Sequence, residues 1–165
     1  MTMSVAHQVD TEYLVRKSMS TGYQWSSLVV PPAYIVYVAA RKGRGYISLN
    51  KILRATWVGG LGGAAISGGI AYVRYAYSSE DSVRAKRLET AYNTSIVRRN
   101  DHSTIGGVLA AVLVPAIFWK RAGVVNLILG GAGLGSAVGL LTHYGRTATG
   151  DPPLVEVVVE SSSER

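Results

Sequence analysis

Charge in this chain comes in blocks, and between the blocks lie four long runs without a single Asp, Glu, Lys or Arg. The runs are Gly22–Ala40 (19 residues), Ala55–Val73 (19), Ser103–Trp119 (17) and Ala122–Thr142 (21). A helix rises about 1.5 Å per residue, so roughly 20 residues cross the ~30 Å hydrocarbon layer of a bilayer. The average composition agrees, with 16% charged residues where a soluble domain carries about 25%. The pattern predicts an all-α membrane protein with four transmembrane helices. Residues 1–21 then form an N-terminal extramembrane segment, 22–142 a helical membrane domain with a polar connection at 74–102, and 143–165 an extramembrane tail.

The four runs differ in quality. Pro31 and Pro32 remove two backbone donors from the first, which predicts a kinked or partly re-entrant span. The second, ATWVGGLGGAAISGGIAYV, is too rich in glycine for a stable helix in water. In lipid the backbone must bond internally, and small side chains let helices approach closely. Pro115 bends the distal end of the third run, and only KRAG, Lys120–Gly123, separates it from the fourth, which predicts an antiparallel hairpin. Inside the polar connection, SSEDSVRAKRLETAYNTSIVRR predicts an extramembrane helix capped near Ser79 and followed by a loop. Glu80 and Asp81 in its first turn, with Arg84, Lys86 and Arg87 further along, suit the helix dipole. After the break at Asp151, Pro152 and Pro153, LVEVVVE either adds an edge strand to a partner or stays disordered.

The formal charge is +7, from 17 Lys and Arg against 10 Asp and Glu. In a soluble chain this excess would suggest nucleic acid as a partner. Here membrane insertion and anionic lipid account for it, and no nucleic acid is expected. Arg41, Lys42, Arg44, Lys51 and Arg54 occupy one short connection, and Lys120 and Arg121 another, with no acid in either. That density assigns both connections to the cytoplasm-equivalent side, with the termini opposite. These seven side chains are candidates for contact with anionic phospholipid headgroups or acidic partner surfaces. The absence of cysteine excludes disulfides and thiolate chemistry. Asp10, Glu12, Arg16 and Lys17 depart from the order of a secretory signal.

Gly131-Ala-Gly133-Leu-Gly135 opens like a dinucleotide-binding turn, with Asp151 downstream. That chemistry needs a preceding strand and a turn exposing backbone N–H groups to pyrophosphate. Here a hairpin turn and VVNLIL precede, and Val138 stands where a glycine or alanine belongs. Gly131, Gly135 and Gly139 instead recur every four residues and share one face of a helix. Gly59 and Gly63 form a second such face, and Gly60, Ala64 and Gly68 a neighbouring one. All eight are candidate helix-packing positions, and generic packing without a specific partner gives the same spacing. Asn126 is suited to an interhelical hydrogen bond or an interface. His7, His102 and His143 lack carboxylates at ligand spacing, His102 beside Ser103 is not triad geometry, and the runs hold no charged group for a proton relay. No catalytic, cofactor-binding or metal-binding residue is therefore expected.

The run from Arg87 to Arg146, RLETAYNTSIVRRNDHSTIGGVLAAVLVPAIFWKRAGVVNLILGGAGLGSAVGLLTHYGR, resembles fungal accessory subunits of mitochondrial respiratory complex I, the NADH:ubiquinone oxidoreductase. RGYISLNKILRATW, Arg44–Trp57, shares the resemblance, which extends from about Arg54 to Pro153. The hydropathic plan is similar to that of the inner-membrane translocase superfamily. The resemblance implies a multi-pass inner-membrane protein supporting assembly or stability of the membrane arm, with its termini in the intermembrane space. It implies no bound NADH, flavin or iron–sulfur cluster. Other membrane-arm subunits and anionic phospholipids are the expected partners, including a structural lipid such as cardiolipin. The translocase relatives imply protein import instead.

Overall fold

The computed structural model describes residues 4–150, and among these it is helical throughout, with no strand. Five α-helices follow one another: α1 (Val5–Lys42), α2 (Leu49–Ala76), α3 (Glu80–Tyr92), α4 (Thr94–Phe118) and α5 (Val124–Ala148). A short 3-10 turn, Arg44–Tyr46, lies between α1 and α2.

Local chemistry explains most of the helix ends. Ser4 caps α1 by accepting a hydrogen bond from the His7 N–H at 3.1 Å, and Asn93 caps α4 by accepting from Ile96 at 3.1 Å. Gly43 ends α1 with a φ of 86°, a conformation open to glycine because it has no Cβ. Ser79 occupies the cap position of α3 but makes no side-chain capping bond; Glu80 and Asp81 supply negative charge to its first turn.

Of the two expectations for the first run, a kinked or a re-entrant span, the re-entrant one does not hold. α1 continues through Pro31 and Pro32 as a single 38-residue helix that also takes in residues 5–21. A re-entrant first segment is therefore replaced by an unbroken helix. The prolines withhold hydrogen bonds from the carbonyls of Ser27 and Leu28, but α2 packs along this part of α1, and the neighbouring turns maintain the helix. α4 likewise begins at Thr94, well before the uncharged run at Ser103, and α5 continues past Thr142 to Ala148. Both helices run on into charged sequence because the backbone hydrogen-bond ladder does not depend on side-chain hydropathy, and Asn93 caps the extended start of α4. The LVEVVVE segment lies outside the described residues.

α4 and α5 are long and apolar enough to cross a membrane. α1 and α2 have the length, but charged ends in α1 and glycine, serine and tyrosine in both reduce their hydropathy. α1 and α2 form one antiparallel pair, and α4 and α5 a second. α5 also packs on α2 and α1, so it occupies the centre of the bundle, with α4 on its outer side. Leu53, Leu127 and Leu140 are fully buried at the contacts of α2 and α5 with their neighbours.

α3 stays outside this packing. It lies against the N-terminal part of α1, where Val83, His7 and Thr11 are buried and the Arg87 guanidinium pairs with the buried Asp10 carboxylate. The polar connection is thereby folded back on the end of the bundle.

Candidate functional site: glycine seams and polar ends

Along the α1–α2 contact the backbones approach too closely for side chains. A Cβ on Gly22 would stand 2.5 Å from the Gly63 carbonyl oxygen, and one on Gly63 would stand 2.7 Å from that of Gly22. Gly59 faces Val30, Gly60 faces Tyr23 and Ser27, and Gly68 faces Met19, while Ala64 is buried between them. All five sequence-selected positions of α2 thus lie against α1. The complementary face of α1, Ser18–Gly22–Ser26, also repeats every four residues and escaped the sequence reading. There the Ser67 hydroxyl donates to the Ser18 carbonyl at 2.6 Å.

Gly131, Gly135 and Gly139 meet α4. A Cβ on Gly131 would lie 2.7 Å from the Ala110 carbonyl oxygen, one on Gly135 would lie 2.5 Å from the Ala110 Cβ, and one on Gly139 would lie 2.8 Å from the Ser103 Cα. Gly106 of α4 answers Gly135 directly, each glycine facing the other's carbonyl. The same seam contains a buried hydroxyl pair, Ser103 and Ser136, with their oxygens 2.7 Å apart; Ser103 also donates to the Ser136 carbonyl at 3.0 Å. In this setting Ser103 links helices and has no nucleophile geometry with His102, whose Nδ1 lies 2.7 Å from the Arg98 carbonyl.

The opposite side of α5 holds a second glycine face. A Cβ on Gly130 would lie 2.6 Å from the Leu53 Cβ, and one on Gly133 2.8 Å from the Thr56 Cγ2. Gly133 thus belongs to helix packing and not to a phosphate turn. Glycine on two sides lets α5 take close neighbours on both, α4 against one face and α2 against the other. A signal for the second face existed in Gly130, Gly133 and Ala137, whose three- and four-residue spacings match a helix.

At one end, Asn50 ties the two hairpins together. Its side-chain oxygen accepts from the Gly123 N–H at 3.1 Å and from Asn126 Nδ2 at 2.8 Å, while Asn126 Oδ1 accepts from Trp57 Nε1 at 3.0 Å. Asn126 therefore makes interhelical bonds to α2. This joint brings the two basic connections to the same end. Arg41, Lys42, Arg44, Lys51, Arg54, Lys120 and Arg121 are all exposed there, and none has a carboxylate partner among the described residues.

The other end carries mixed charge. Gln24 Nε2 donates to Asn100 Oδ1 at 3.1 Å and Arg99 donates to Thr21 at 3.1 Å, fastening α1 to α4. His102 and His143 lie with ring centroids 6.1 Å apart, and Tyr144 packs edge-on to His143 and beside Trp25. These groups form an aromatic contact between α1, α4 and α5. No group of three potential His, Cys, Asp or Glu ligands occurs among the described residues.

Gly135→Leu is expected to force α4 and α5 apart, with a loss of about 2–3 kcal/mol from overpacking. At Gly62 an added Cβ meets nothing within 4 Å, so Gly62→Leu should not destabilise, and losing a helix-interior glycine should favour the helix by up to about 1 kcal/mol. Thermal unfolding of both variants in mild detergent checks the difference; equal midpoints would remove the steric role assigned to the α4–α5 seam.

Comparison with protein-family models, curated proteins and solved structures yields no match to this chain.

Proposed function

We propose that this chain is a four-span accessory subunit of the membrane arm of mitochondrial complex I, where it supports assembly or stability without turnover of its own. The observation that carries the membrane placement is the outer surface of the bundle. Val29 and Val36 on α1, Leu61 and Ile66 on α2, Val112 and Ile117 on α4, and Val138 and Leu141 on α5 are all exposed. Ile117, for example, is 70% accessible, and the most apolar part of α4 is only 11% buried. Extended apolar surface of this kind, running over all four long helices, is rare on water-soluble monomers. Lipid or neighbouring apolar helices match it.

The interior supports a structural role. Its tight contacts come from glycine and serine, which let helices pack where lipid removes the ordinary hydrophobic force between them. The exposed bases gathered at one end suit headgroup-level contact with anionic phospholipid, cardiolipin included, and fit a matrix-facing end with the termini in the intermembrane space. Assignment to complex I rests on the resemblance of the Arg87–Arg146 region.

The topology is testable because the natural chain contains no cysteine. Single Gly45→Cys and Arg121→Cys variants should react with a membrane-impermeant maleimide from one side, and Ser79→Cys from the other. Reaction of all three from one side would contradict four spans. For the complex, co-migration with intact complex I in a mild-detergent native separation is expected. Consistent migration with a protein-import complex, and absence from complex I, would favour the translocase reading.

A further inference from the structure

At the mixed-charge end, α1, α2, α3 and α4 border a cavity of about 470 Å³, within the roughly 300–1,000 Å³ typical of small-ligand sites. Lys17, Arg74 and Arg99 contribute three cations to its wall, and no Asp or Glu lines it. Leu14, Trp25 and Ile70 supply apolar surface.

The three cations lack carboxylate partners among the described residues. Lys17 lies over the Tyr13 ring, 5.9 Å from its centroid, and Arg74 over Tyr75 at 6.0 Å. Arg99 is oriented by its bond to Thr21, yet its buried Nε–H has no hydrogen-bond acceptor. The nearby acids are engaged elsewhere: Glu12 with Arg16, Glu89 with Lys86, and Asp10 with Arg87. Three like charges around one cavity repel one another, and an anion between them would reverse that repulsion and fill the open donor position.

The position of the charges along the chain adds direction. Lys17 precedes the first uncharged run, Arg74 immediately follows the second, and Arg99 precedes the third. In a membrane, the cations would stand at headgroup level, while Trp25 and Ile70 reach toward acyl chains. We propose that this cavity binds an amphiphile with an anionic head and an acyl chain. Lys17, Arg74 and Arg99 hold the head, and the apolar wall receives the first part of the chain. The site lies at the end opposite the seven exposed bases. It rests on the membrane placement above but not on membership of complex I.

An anionic phospholipid and a free fatty acid share this chemistry. The full-length chain in neutral detergent can be given phosphatidylglycerol, oleate, phosphatidylcholine or inorganic phosphate separately, with binding read by native mass spectrometry and thermal unfolding. Phosphatidylglycerol or oleate should bind and raise the unfolding midpoint, and the better of the two names the source. Phosphatidylcholine and inorganic phosphate should do neither. Lys17→Gln and Arg74→Gln should each weaken binding on the order of tenfold through loss of a charge-assisted contact, whereas Lys86→Gln, at a lysine outside the cavity wall and paired with Glu89, should leave it unchanged. In the unsubstituted chain, bound amphiphile should protect Lys17 from acetylation while the exposed Lys86 stays reactive, a readout independent of how the variants fold. Equal binding of phosphatidylcholine, saturation by inorganic phosphate alone, or unchanged Lys17 reactivity would overturn the proposal. Such a failure leaves co-migration with complex I unaffected, so the two readings are separable.

Discussion

Gly106 and Gly135 face each other so closely that each carbonyl occupies the place where the other's side chain would begin. This backbone-to-backbone approach makes α5 the axis of the bundle. With Gly131 and Gly139 extending the same seam toward α4, and Gly130 and Gly133 opening the opposite face toward α2, α5 admits close neighbours on both sides. Close approach increases the number of weak dispersion contacts and brings serine and asparagine side chains within reach of the next helix. The Ser103–Ser136 pair and the Asn50–Asn126–Trp57 chain are consequences of that proximity. Their bonds then fix which turn of one helix meets which turn of the other.

The same arrangement distributes polarity in an unusual direction for a water-soluble bundle. Gln24, Ser27, Thr56, Ser103 and Ser136 are buried, while valine, leucine and isoleucine point outward from all four long helices. A bilayer makes that distribution favourable, since its solvent is itself apolar and internal hydrogen bonds do not compete with water. The ends differ as well. One gathers seven bases without an acid, and the other pairs acids with bases and folds α3 back onto α1. The proposed role as a membrane-arm subunit draws on these features: a belt suited to neighbouring helices and lipid, a compact interior, and ends of unequal charge.

Much of the helical organisation was legible because its signals are local. Long uncharged runs imply helices, and spacing of four places Gly131, Gly135 and Gly139 on one face whatever that face meets. Identity of the opposing helix is not local. Nothing near Gly135 in the chain indicates Gly106, and nothing near Asn126 indicates Asn50. Gly133 was obscured by a different problem, since a phosphate turn and a two-sided packing helix both require closely spaced glycines. Pro31 and Pro32 show the limit of a local penalty: two missing donors weaken one turn, but α1 remains continuous beside α2. The boundaries of α4 and α5 were less legible because hydropathy marks the apolar part of a helix, while backbone hydrogen bonding continues into charged sequence.

The α4–α5 register offers the most direct measurement of the central claim, that backbone approach along α5 organises the bundle. Ser103 and Ser136 can be replaced together by cysteine in a chain that has none of its own. With their hydroxyl oxygens 2.7 Å apart, Ser103→Cys with Ser136→Cys should form a disulfide in nearly all membrane-embedded molecules under mild oxidation. Ser103→Cys with Val138→Cys, which places the second thiol on the outward face of α5, should remain largely reduced. Little crosslinking in the first pair, or equal crosslinking in both, would contradict the close α4–α5 seam on which this account depends.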